Sequence, residues 1–440
     1  MKNKFYLPLF LIPLLLTGCK KKEETKETPV VDNTINVDLN MTSALTTGKK
    51  YKIQCKYNDN FFESSPTTFS KDLMLLSFCA NMTSDNKEEA DKFYKTIGFD
   101  DVSYSESYET GLTTESASFV VAHKHINNFD LISLMFKGTN YKLEWANNFE
   151  VGEEGNHAGF EKTMEKTYDF LKNYIETYEN NDYKIWVSGF SRGGALANFI
   201  SHELMTSDDF NVNKENLFTY TFEAPRALSF ENSVSYENVF NLVNDADLIP
   251  RLLPEEYYLY RCGTDKSIYN DNVSTLLADF DDSLNMNRLW ADEDKYSNDI
   301  EFAKYAIDAL LEDNGSCPYS FKDRAHYYEI ETHLFYILDR LFAIPDCFSV
   351  IGDKISEIGL STLLGYLDDD GTKFVNLLKE ILDENGQTYD ETILEEAGKC
   401  IQQVLKSKKS LFYNLKFINN ALRMIYMHIQ ETTWVLINNL

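Results

Sequence analysis

The chain has 440 residues, 43% of them hydrophobic, with 30 Phe and 27 Tyr; this apolar mass excludes a disordered protein, and the length exceeds one ordinary core. A formal net charge of −28 argues against nucleic acid and against electrostatic adhesion to anionic lipid, since both are polyanions. Any membrane attachment must then be hydrophobic or covalent.

The N-terminus offers such an attachment. Met1 to Lys4 is basic, Phe5 to Leu16 is apolar, and Leu16, Thr17, Gly18 and Cys19 form the small-residue run that precedes a signal cleavage site. The apolar part is too short to span a bilayer as a stable helix. The four residues ending in Cys19 resemble the lipobox of bacterial lipoproteins. That resemblance implies a signal peptide over residues 1–18, diacylation of Cys19, and an exported protein held by its lipid anchor to a cell or outer membrane, facing outside the cytoplasm. A lipidated tether over residues 19–50 follows, its part from Lys20 to Val31 rich in Lys, Glu and Thr and therefore solvated. Six further cysteines are scattered with no zinc-site spacing, and no metal or organic cofactor is expected.

From about Tyr51 the pattern is that of a folded body. Phe69, Leu73, Leu76 and Ala80 recur at helical spacing, and Lys87 to Ile97 reads as a second helix. Phe119 to Ala122 and Leu131 to Phe136 are strand-like, and a helix over Glu161 to Tyr178 comes next. Then Lys184 to Ile200 reads strand, tight turn, helix: Ile185 to Val187, the turn through Gly189, Ser191, Gly193 and Gly194, and a helical run from Ala195. A serine in such a turn sits on a strained elbow with its hydroxyl exposed, and the Arg192 amide at the head of the helix supplies half an oxyanion hole. Apolar runs at Leu217 to Phe222 and Val239 to Val243 complete an α/β pattern with a largely parallel sheet.

A nucleophilic serine needs a base, and the base an orienting acid. On this elbow the chain order is Ser, Asp or Glu, His. Asp245 and Asp247 both follow the Val239 to Val243 strand, and only His326, His333 and His428 come after them.

Phe136 to Asn140 (FKGTN), Trp145, Asn156 to Phe160 (NHAGF), Val187 to Asn198 (VSGFSRGGALAN), Phe222 to Arg226 (FEAPR) and Asn244 to Pro254 (NDADLIPRLLP) resemble, in order and spacing, the class 3 lipases. The resemblance covers about Phe119 to Pro254. It implies an α/β-hydrolase with Ser191 as nucleophile, Asp247 as triad acid, His326 as base, and Thr139 beside Arg192 as oxyanion residues. It further implies a lid over Asn140 to Phe149 carrying Trp145, and a structural role for His157. Two departures stand out: Phe190 replaces the commoner histidine before the serine, altering the packing beneath the elbow, and Asn148 stands where an aspartate is usual. The acidic stretch from Glu255 to Asp323, outside the resemblance, reads as an insertion roofing the site, because it joins two triad residues, or as a solvated surface excursion.

The expected hydrolase domain spans residues 51–345, followed by a C-terminal all-α region over residues 346–440. There Phe374 to Ile381, Ile393 to Leu405 and Leu411 to Ile425 carry apolar stripes at helical spacing, and Thr388 with Glu391 forms a capping box. The activity implied is cleavage of carboxylic esters of lipids through an acyl-enzyme. Alternatives are a phospholipase A1 or short-chain esterase with the same triad, or a non-catalytic surface lipoprotein acting as a binding module.

Overall fold

Strand runs rich in Val, Ile, Phe and Tyr assemble the central sheet. The computed structural model describes residues 33–108, 117–138, 144–178, 182–286, 299–312, 317, 319–345, 347–408 and 423–440. The signal peptide, Cys19, Thr139 and residues 140–143 of the lid segment lie outside the described residues.

The folded body begins before Tyr51. Ile35, Val37, Leu39 and Met41 alternate with polar residues, and the last three are buried. This period of two makes β1 (Ile35–Thr42), which pairs antiparallel with β2 (Lys50–Tyr57) and packs on α1 (Lys71–Thr83). Residues 35–50 are thus part of the folded unit, Ile35–Leu440, and not of a tether.

After α2 (Lys87–Thr96) come β3 (Asp101–Tyr104), β4 (Phe119–Ile126), β5 (Phe129–Phe136), the short α3 (Glu144–Asn147), α4 (Ala158–Glu176), β6 (Tyr183–Phe190) and α5 (Arg192–Thr206). Then follow β7 (Leu217–Phe222), the two-residue β8 (Leu228–Ser229), β9 (Val239–Val243), β10 (Leu259–Tyr260) and β11 (Thr264–Ser267). The seven-stranded sheet runs β11-β9-β7-β6-β5-β4-β3. Its pairs from β5 to β11 are parallel; β3, β4 and β5 are joined antiparallel. The chain has the α/β architecture expected of an α/β-hydrolase fold, with a largely parallel sheet.

Alternation along β6 sends Ile185 and Val187 to one face, against Phe160 and Met164 of α4 and Ala195 and Phe199 of α5. Trp186 and Phe190 go to the other, among Phe78 of α1 and Trp434. Trp186 is fully buried and its indole N–H donates to Ser77 Oγ at 2.8 Å, so the ring is held without an unpaired donor.

A helical layer follows: α6 (Val273–Phe280), α7 (Asp299–Leu311), α8 (Arg324–Phe342), α9 (Cys347–Ile358), α10 (Leu360–Tyr366), α11 (Thr372–Glu384) and α12 (Glu391–Ser407). Asp390, not Thr388, caps α12, its Oδ1 accepting the amides of Thr392 and Ile393 at 2.9 and 3.0 Å; it is the residue directly before the first turn, from where a carboxylate oxygen reaches the free amides. Arg324 of α8 donates to the carbonyls of Val151, Gly152, Glu154, Gly155 and Asn156, tying α8 to the loop before α4. The C-terminal helix, Gln430–Asn438, lies on the α1 face of the sheet, with Trp434 stacked on Phe78. Burial of Trp434, Val435, Leu436 and Ile437 stabilises that docking by roughly 1.5–3 kcal/mol per large side chain, an upper estimate by area.

Candidate active site

Ser191 stands between β6 and α5 with φ 55° and ψ −125°, a backbone that a non-glycine residue keeps only when its surroundings enforce it. Close packing enforces it here. A Cβ on Gly189 would come within 2.0 Å of the Gly193 carbonyl oxygen, and one on Gly193 within 2.8 Å of that of Lys137. The Ser191 amide donates to the Phe222 carbonyl at 2.8 Å, locking the turn to the end of β7. The serine is therefore presented at the C-terminal edge of the parallel strands, at the head of α5, where α/β sites form.

Asp247 follows β9 and is wholly buried; its Oδ1 accepts the Ile249 amide at 2.8 Å and its own amide donates to Asn244 at 2.9 Å. The imidazole that meets both groups is that of His428. Its Nε2 lies 2.8 Å from Ser191 Oγ and its Nδ1 2.6 Å from Asp247 Oδ2. With a carboxylate facing Nδ1, the proton belongs on that nitrogen and Nε2 is left to accept from the serine hydroxyl.

Residues 423–428 are helical and carry His428 just ahead of the C-terminal helix. Two attachments fix this stretch. Asn244 Nδ2 donates to the Met427 carbonyl at 2.9 Å, and the buried Arg423 forms a two-pronged pair with Asp299 at the head of α7 while also donating to Met286 O and Ser274 Oγ. Phe190 stacks on the His428 ring with centroids 5.3 Å apart. The departure at this position thus puts an aromatic face directly against the imidazole.

The expected base, His326, is elsewhere. It lies in the first turn of α8, where Asp323 caps the helix by accepting the His326 amide at 3.0 Å and meets His326 Nδ1 at 2.7 Å. Partly exposed and engaged with its own capping residue, it does not reach Ser191. Its surroundings explain the resemblance that misled: a polar loop ahead and an aromatic run behind belong here to a helix N-terminus. His157 is buried and caps α4, its ring stacked on Phe160, its Nε2 donating to the Asn148 carbonyl at 3.2 Å. Burial pushes its imidazole pKa down to about 3, so it stays neutral.

Ser191 opens into a cavity of about 360 Å³. It is lined by Arg192, Phe160 and Phe149, by Ile249, Leu252 and Leu253, and by Ile307, Leu310 and Leu311 of α7 with Phe321, Tyr327 and Leu334. The stretch from Glu255 to Asp323 thus contributes Tyr257, α7 and Phe321 to the lining, beside Tyr327 and Leu334 of α8. Asn148 also lines the cavity. Of the oxyanion pair, Arg192 is the first residue of α5 and is buried, its guanidinium over the Phe160 ring at 5.4 Å; Thr139 lies outside the described residues, as does the side chain of the lid candidate Trp145.

Residues 133–257 match the family described as lipase (class 3). A lipase of Caenorhabditis elegans is 28% identical over 123 residues, 26% of this chain and 34% of the relative; the chain thus spans about a third of that relative's length. Solved structures with a similar fold include the triacylglyceride lipase of Rhizomucor miehei (19% identity, 46% of this chain and 78% of that one, TM-score 0.33). The Lip2 lipase of Yarrowia lipolytica is similar at 18% identity, covering 48% and 79%, with a TM-score of 0.34.

Proposed function

We propose that this chain, whose residues 133–257 match the class 3 lipases, hydrolyses carboxylic esters of lipids through an acyl-enzyme on Ser191. The observation that carries this reading is the hydrogen-bonded series Ser191, His428, Asp247 opening on an apolar cavity. In the first step Ser191 Oγ attacks the ester carbonyl and His428 Nε2 takes its proton. Asp247 holds the ring in the required tautomer and stabilises the imidazolium. The amides of Arg192 and Thr139 would hold the oxyanion of the tetrahedral intermediate. His428 then gives the proton to the leaving alcohol, and water releases the acyl group by the same route. The chemistry needs no metal or organic cofactor.

The cavity favours an acyl chain over a polar headgroup, since its lining is mostly leucine, isoleucine and aromatic side chains. This supports long-chain esters over short ones and gives no reason to prefer a phospholipid headgroup. The N-terminal reading would set the enzyme on the outer face of a membrane, anchored through Cys19 and close to its substrate. Ser191→Ala should lower ester hydrolysis by at least about a thousandfold with the fold intact, because nucleophile and base act as a unit. The same variant should lose labelling by a fluorophosphonate probe. Hydrolysis near the wild-type rate in Ser191→Ala would remove the nucleophile from this account and leave a binding module as the better reading.

A further inference from the structure

A second carboxyl lies beside the triad acid. Glu223 directly follows β7, is completely buried, and holds φ at 51°, a conformation that glycine adopts freely and glutamate does not. A strained position that nevertheless carries a long acidic side chain directs attention to what the side chain does. Its Oε2 accepts the Asn244 amide at 2.9 Å, its Oε1 accepts the Thr433 hydroxyl at 3.3 Å, and the carboxyl is in hydrogen-bonding contact with Asp247. Two ionised carboxylates offer each other only acceptors, so that contact requires a proton between them.

We infer that Glu223 is a positioning residue held as a neutral acid, donating its hydroxyl to Asp247 and thereby fixing the carboxylate that orients His428. The inference rests on the proposed triad. The bonding is self-consistent: Oε2 is the carbonyl oxygen taking the Asn244 N–H, and Oε1 is the hydroxyl, which takes the Thr433 O–H and donates onward. Asp247 keeps one oxygen for Ile249 and one for His428, each with a lone pair to spare.

The surroundings favour this state. The charged or titratable groups facing the site are Asp247 and His428 themselves. Asp245 is turned to Ser267, and Arg251 and Arg261 are spent on the carbonyls of Asp245, Ala224 and Pro250. From the C-terminal helix comes only Glu431, whose Oε1 accepts the Ala44 amide. Neither described partner of Glu223 is a cation. Burial, and then the neighbouring Asp247 charge, hold its carboxyl well above the usual carboxylate range. Glu223 also joins three parts of the site: the end of β7, the loop after β9 and, through Thr433, the helix that follows His428.

The test compares Glu223→Gln with Glu223→Ala. Glutamine can accept from Asn244 and donate to Asp247; alanine can do neither. E223Q should keep kcat within about threefold of wild type with the acidic limb of its pH–rate profile unmoved, whereas E223A should lose about tenfold or more in kcat with little change in KM. Losing the donor concentrates negative charge on Asp247, so the acidic limb should move to higher pH in E223A. A packing defect would not move it. Infrared spectroscopy of wild-type protein should show the band of a protonated carboxylic acid that is missing from E223Q, a readout independent of activity and available if E223A does not fold. E223Q as damaging as E223A, or no acid band lost in E223Q, would overturn the neutral-acid assignment. An acid band that is present while Ser191→Ala retains activity would instead fault the triad.

Discussion

Glu223 and Asp247 share one buried pocket, and this carries a cost that depends on pH. The folded state holds the Glu223 proton above the ordinary value of 4.5, while the unfolded chain releases it there. Between 4.5 and the raised value the folded protein therefore binds more protons, and its stability falls as pH rises. E223Q has no such proton. Its melting temperature relative to wild type should increase as pH is raised above the ordinary value of 4.5 and level off once Glu223 ionises in the folded protein, measured by thermal unfolding at several pH values. A difference that stays constant would mean Glu223 titrates normally. At this scale the sequence is informative about Ser191 and Asp247, because both sit in turns whose glycines, asparagines and proline carry a local pattern. It is mute about Glu223, whose role depends on Asn244 and Thr433 arriving from 21 and 210 residues away.

The elements themselves were legible where periodicity was strong. The strands Leu217–Phe222 and Val239–Val243 have the bounds read from their apolar runs, and the elbow is strand, turn and helix as its glycines require. The β1–β2 hairpin was missed because Ile35, Val37, Leu39 and Met41 follow a polar stretch that drew the whole segment into a tether. The share of Glu255 to Asp323 in the cavity is a less direct inference from sequence, since acidic composition hides the apolar side of α7. That side, Ile307, Leu310 and Leu311, faces the cavity. Ile307→Trp should fill cavity space, lowering kcat/KM for long-chain esters by about tenfold or more while short-chain esters stay within about threefold. A p-nitrophenyl ester series checks this; equal losses across chain lengths would mean that the acyl group binds elsewhere.

On the scale of the whole molecule, charge and topology set the remaining expectations. A net charge of −28 repels anionic membranes, and among the described residues no helix is long and apolar enough to cross a bilayer. In the proposed reading, anchoring falls to diacylation of Cys19. Cys19→Ser should shift the protein from the detergent phase to the aqueous phase in phase separation, and persistent detergent partitioning would point to another membrane-binding surface. The C-terminal region, which reads in the sequence as a helical appendage, carries the imidazole 181 residues beyond Asp247. A signal was available. Trp434, Val435, Leu436 and Ile437 form an unbroken apolar run, the mark of a helix buried on all sides, and His428 stands shortly ahead of it. The central claim is that the base comes from this segment, and it is tested most directly by steady-state ester hydrolysis in His428→Ala and His326→Ala. His428→Ala should be as impaired as Ser191→Ala, by at least about a thousandfold, and His326→Ala should stay within about threefold of wild type. Activity lost in His326→Ala and kept in His428→Ala would contradict the account.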